Sequence, residues 1–250
     1  MKRVWPYLAL GIGAYLLFTI VTLPASLILS RVNAQGIYTA GVEGTVWKGK
    51  AQVVQLANAN LGSVDWNLHF FPLLTGRLKA DVQLTRTDGF ARTTVAAAPS
   101  GRVHLSELSA SLPLSALPAG GVAGGWSGLL NLKMAHLELH QGWPIAAEGM
   151  VEANDLTGPA NRPTNIGSYK LVFPGEAAAK PEDPLTASLT DLSGPIQVNG
   201  TLQLRPDRNY FLECFVALRP GAPTQIANAL QVLGPPDPQG RRRFATEGSY

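Results

Sequence analysis

Histidines, carboxylates and one cysteine are the side chains in this sequence that could carry chemistry, and their spacing assigns them none. The histidines are His69, His104, His136 and His140. His136 and His140 stand at the i, i+4 interval that puts two metal ligands on one helix face, but their run, LLNLKMAHLELH, alternates like a strand and lacks the glutamate of HExxH. Read as neutral groups on a wet strand face, the two are not expected to hold a metal between them. Asp65, Asp81, Asp88, Glu138 and Glu148 are the carboxylates that could pair for acid–base work, but alternation sends several of them to solvated faces. Gly120, Gly121, Gly124 and Gly125 lack the lysine and helix start that phosphate cradling needs. GxSxG, P-loop, CxxC and dinucleotide patterns do not occur. Cys214 is the single cysteine, so no disulfide forms within the chain; in NYFLECFVAL it reads as a buried, inert thiol. The residues predict no enzyme, no cofactor and no metal.

The elements that would position such groups are marked by composition. Only 15% of the 250 residues are charged, while glycine (26) and proline (19) supply the punctuation of many short strands. Length allows one domain plus an anchor. The net charge of +3 sits at the ends: setting aside Lys2, Arg3, Arg241, Arg242 and Arg243 leaves 15 basic residues against 17 acidic ones. No basic stripe remains to neutralise phosphates, so a nucleic-acid partner is excluded. The arginine run reads as a solvated tail or strand end.

Residues 4–30 carry no charge and are bracketed by Lys2, Arg3 and Arg31. That run exceeds the roughly 20 apolar residues needed to cross a bilayer and the apolar core of about 7–15 residues in a signal peptide. It predicts an uncleaved transmembrane anchor, with VNA at 32–34 as the alternative cleavage site. Trp5 and Tyr7 fall where an interfacial aromatic belt lies, and the Lys2/Arg3 pair predicts N-terminus in, remainder out. The expected division is a cytoplasmic tip and anchor over 1–31 and a periplasmic β-domain over 35–250.

Strict alternation in GRLKADVQLT and PIQVNGTLQL predicts half-buried antiparallel strands. LLNLKMAHLEL slips phase after Met134, which predicts a β-bulge near Ala135 and His136. Shorter runs at 63–70, 91–97, 102–108, 146–154, 168–173, 185–189 and 210–218 read as further strands. One soluble helix is predicted over 223–233, with proline at its start and Gly234, Pro235 and Pro236 as its stop. The fold expected is all-β: a single N-terminal transmembrane helix, then a curved, mostly antiparallel meander with one short C-terminal helix.

In GVEGTVWKGKAQV, a strand reading puts Thr45, Trp47 and Gly49 on one face, so that Trp47 lies flat over small neighbours. Trp66, Trp126 and Trp143 likewise stand near strand starts. Trp47 and Trp66, with Leu202 and Leu204 on the apolar phase of the clearest strand, are the candidate apolar-face or interface residues. They are either core and edge aromatics or the lining of a concave face for a lipid or a partner.

GVEGTVWKGKA, WNLHFFPLLTGRLKADVQL, DLSGPIQVNGTLQLRPDRNY and LRPGAPTQIANALQVLGPPDPQGRRRFATEGS together resemble the type II secretion system protein N family. The resemblance implies an accessory, non-enzymatic component of the general secretion apparatus in the inner membrane of a Gram-negative bacterium. It further implies a periplasmic β-domain that assists export of folded proteins across the outer membrane. Partners would be other secretion components: the inner-membrane platform, the pseudopilus or the secretin. The strand texture also looks like that of AsmA-type proteins, which implies a lipid-handling groove as the alternative. A surface-anchored hydrolase has no motif to support it.

Overall fold

The computed structural model describes residues 5–32, 37–56, 59–116, 125–159, 163–175 and 183–249. Lys2, Arg3, Asn33, Ala34, Gly120, Gly121 and Gly124 lie outside them. The chain opens with α1 (Trp5–Val21) and α2 (Ala25–Val32). α1 is apolar all round, with Tyr7 and Leu10 each 74% exposed and Phe18 68%. Its 17 residues rise about 25 Å, short of a hydrocarbon layer of about 30 Å. No described helix is long and apolar enough to cross a membrane.

Among the described residues thirteen strands follow: β1 (Ile37–Gly44), β2 (Lys48–Leu56), β3 (Ala59–His69), β4 (Leu78–Thr85), β5 (Phe90–Ala97), β6 (Arg102–Pro113), β7 (Ser127–His140), β8 (Trp143–Thr157), β9 (Asn165–Pro174), β10 (Leu185–Ser193), β11 (Ile196–Leu204), β12 (Asn209–Leu218) and β13 (Arg242–Ser249). One turn of helix, α3 (Phe70–Leu73), separates β3 from β4, and α4 (Thr224–Gln231) separates β12 from β13. All strands join one antiparallel sheet in sequence order. No pairing between β1 and β13 closes it among the described residues.

The phase slip in β7 is a bulge at Ala135: Met134 pairs with Gly149 and His136 with Glu148, leaving Ala135 the extra residue. Leu137 thereby rejoins Met134 on the apolar face, while His136 and Glu138 point to the other. On the apolar face Met134, Ala147 and Leu185 form one buried cluster, with Leu108 and Leu204 packed against it. A second cluster holds Val198, Cys214 and Val216, with Tyr169, Leu230 and Phe244 against it. Flat strands three places apart stand about 14 Å from one another. Yet Trp143 at the start of β8 donates its indole N–H to the Arg205 carbonyl beyond β11 over 2.8 Å, and Arg208 donates to Gln141 over 2.8 Å. The sheet therefore curls, and its curl substitutes for a second layer.

The cover is incomplete. The accessible surface is 15903 Å², against about 10,700 Å² for a compact chain of this mass. Among the described residues no large side chain is fully buried, and most of the apolar face is half-exposed.

Candidate functional site

Trp47 does not lie in a strand. Residues 45–48 form the turn between β1 and β2, where the Thr45 N–H donates to the Lys48 carbonyl over 2.9 Å. Gly44 enters that turn at φ +88°, a conformation other residues avoid. The Trp47 ring meets Phe70 edge-on, with centroids 5.4 Å apart. Its indole N–H donates to the Ile20 carbonyl over 2.8 Å, and the neighbouring Val46 N–H donates to the Leu23 carbonyl over 2.9 Å. An isolated bridge between Pro24 and Thr45 completes the junction. The turn thus holds the end of α1 against the sheet.

The ring that lies over glycine is that of Trp66. Gly49 pairs with Trp66 across β2 and β3, and a Cβ at Gly49 would stand 2.4 Å from Cζ2 of that ring. Trp66 donates to the Val46 carbonyl over 3.1 Å. Gly49 of GVEGTVWKGKAQV therefore makes room for a tryptophan 17 positions later, not for Trp47. No local period reports such a contact, which is why the sequence assigned the frame to the wrong ring.

Leu202 and Leu204 stand two residues apart on β11, on one side of the sheet. Leu204 packs on the cluster of Met134, Ala147 and Leu185, whereas Leu202 faces Ala187 and Leu212 in the register. At one end of the sheet α4 lies over the apolar face, with Ile226 buried. A cavity of about 840 Å³ opens there between Ile166, Ile196, Ile226, Ala229 and Leu230.

The carboxylates do not converge. Asp65 sits 3.8 Å from Lys50, and Asp88 binds Arg86. Asp81 accepts from Thr94 over 2.8 Å and meets His69 at 2.9 Å; these two bonds hold its carboxyl below the usual range. Asp191, nearly buried, binds Arg219 and accepts the Val198 N–H. Beside that pair the Tyr169 hydroxyl donates to the Ile166 carbonyl over 2.6 Å. Burial, with the Asp191 charge adding to it, pushes the phenol up to about 12. Burial also raises the Cys214 thiol, as the sequence implied for an inert cysteine. His136 and His140 share a strand face four residues apart, too far to hold one ion; His136 instead meets His104 and Glu138, a grouping across two strands that sequence spacing missed.

The whole is a single-layer meander with two separate edges, a half-covered apolar face and an apolar helix docked at its first hairpin. The chain belongs to the type II secretion system protein N family, whose pattern matches residues 35–245. It is similar to the type II secretion system protein N of Vibrio cholerae, 27% identical over 99% of both chains. That of Aeromonas hydrophila is 28% identical over 99% of both, and that of Pectobacterium carotovorum 23% identical over 94% of this chain and 93% of its own. No solved structure matches the chain.

Proposed function

We propose that the protein is an accessory, non-enzymatic part of the type II secretion system. In this reading it is held at the inner membrane by its N-terminal apolar segment, with the β-sheet on the periplasmic side. The observation that carries it is the exposed, apolar α1 fixed to the sheet through Trp47 and Val46 in a chain of this family. An exposed helix with no polar face is stable only in an apolar medium. α1 spans 17 residues, and the uncharged sequence extends beyond both its ends. The lone apolar sheet then serves as an adaptor toward the platform, pseudopilus or secretin. α2 packs on β1, whereas β13 begins with Arg242 and Arg243 and offers backbone groups for an added strand.

A second reading, lipid handling, draws on the half-exposed apolar face and the cavity beneath α4. Deletion of the gene separates the two. The adaptor reading expects weaker export of folded exoproteins with an intact outer-membrane barrier. Barrier failure with normal export, and phospholipid carried by the purified chain, would overturn it. A C-terminal reporter active only outside the cytoplasm tests the orientation.

A further inference from the structure

We propose that His104, His136 and Glu138 form a site for one zinc-like divalent ion on the polar face of the sheet, stapling β6 to β7. His104 stands directly opposite Glu138 in the register of these strands, and His136 precedes Glu138 by two residues on the same face of β7. One ligand atom from each lies within 4.8 Å of the other two, and all three residues are half-buried. Nδ1 of His104 is 3.6 Å from Oε2 of Glu138, and the two imidazole rings lie 5.9 Å apart, tilted by 39°. Ligands bound at about 2.0–2.2 Å in a tetrahedron stand roughly 3.4 Å from one another, so closure asks for side-chain shifts of about 1 Å and no change of register.

The donor set decides the class of ion. Two imidazoles and one carboxylate suit zinc and its neighbours, not calcium or magnesium, which want an oxygen shell. Glu138 is already oriented: Arg102 lies 3.4 Å from Oε1, which leaves Oε2 turned to His104, the arrangement by which an outer partner fixes a ligating carboxylate. Further along the same row, Nδ1 of His140 is buried without a hydrogen-bond partner among the described residues. A plain His104–Glu138 ion pair leaves His136 unexplained. The bulge at Ala135 sets the site, because it keeps His136 and Glu138 opposite the apolar cluster.

The test is titration of the full chain, purified in detergent and stripped with chelator, with cobalt(II) and then zinc(II). The expected result is one equivalent of cobalt with visible d–d absorption, displaced by zinc, and a higher melting temperature with zinc. His136→Asn and Glu138→Gln each weaken binding at least about tenfold, while His69→Asn, at the other histidine–carboxylate contact, leaves it unchanged. Absence of a saturable cobalt spectrum in the wild-type chain removes the site whatever the variants do. Equal affinity in His136→Asn, or equal binding of calcium, overturns it as well.

Discussion

The indole N–H of Trp47 donates to the backbone carbonyl of Ile20, 27 residues earlier in the chain, over 2.8 Å. The last turn of a helix leaves carbonyls without intrahelical partners. In α1, Thr22 serves that of Phe18 through its N–H and hydroxyl, and Trp47 serves that of Ile20. A side chain of the first β-turn therefore shares the Ile20 carbonyl with the Leu23 N–H, 3.4 Å away, and ties the helix directly to the sheet.

Trp47→Phe keeps an aromatic ring against Phe70 and deletes the bond to Ile20. The expected cost is about 1 kcal/mol, localised at the junction. Hydrogen exchange and limited proteolysis around residues 20–25 should accelerate, with the later strands unaffected. Unchanged protection there would show that the junction is held by the Val46 and Pro24 contacts alone.

Gly49→Ala drives a methyl into the Trp66 ring and toward the Glu43 carbonyl, at 2.4 and 2.7 Å before relaxation. Overpacking of this kind costs about 1–3 kcal/mol. Trp66→Leu should relieve part of it, so the double variant loses less than the sum of the two single ones. Strict additivity in denaturant melts would contradict direct contact between the two.

Leu204→Asn removes an apolar side chain from the cluster of Met134, Ala147 and Leu185 and should cost about 2 kcal/mol or more. Leu202→Asn, outside that cluster, should leave melting closer to wild type. It is the variant that reports on a groove: loss of copurified phospholipid in Leu202→Asn would favour lipid handling over the adaptor reading.

Tyr169 is raised from 10.0 to about 12, chiefly by burial. The folded state thus favours the protonated phenol, so this contribution to stability is complete below pH 10 and is lost as the pH rises toward 12. Tyr169→Phe should melt lower at neutral pH for want of the Ile166 bond, yet fall less steeply across that alkaline window. Parallel decline of both proteins would assign the titration to another group.

Periodicity made β4, β7 and β11 readable, and the slip after Met134 located the bulge at Ala135. Proline before Thr224 and glycine at 234 bounded α4. The break at 45–48 was hidden because GVEGTVWKGKA alternates through its own turn; Gly44, at positive φ, was the available signal. β13 was hidden for another reason: RRFATEGS has one large apolar residue, Phe244, and an edge strand carries charge where a central one carries valine. Cys214 makes a close cross-strand contact that no single strand displays. It faces Gly200, where a Cβ would stand 2.3 Å from its own, so the small residue that lets the strands approach sits on the partner. His104 joined His136 and Glu138 only once register was known, since 32 residues separate the two histidines.

Because every strand pairs only with its neighbours in sequence, the order in which the chain emerges is also the order in which it can pair. No strand waits for a distant one, and loop closure is short at each step, a topology that folds without long searches. The first hairpin is the one clasped to α1 by Trp47 and Val46, so a template for pairing is complete before β3 arrives. The sheet can then grow strand by strand in chain order, its leading edge passing from β2 to β13 with each new pairing.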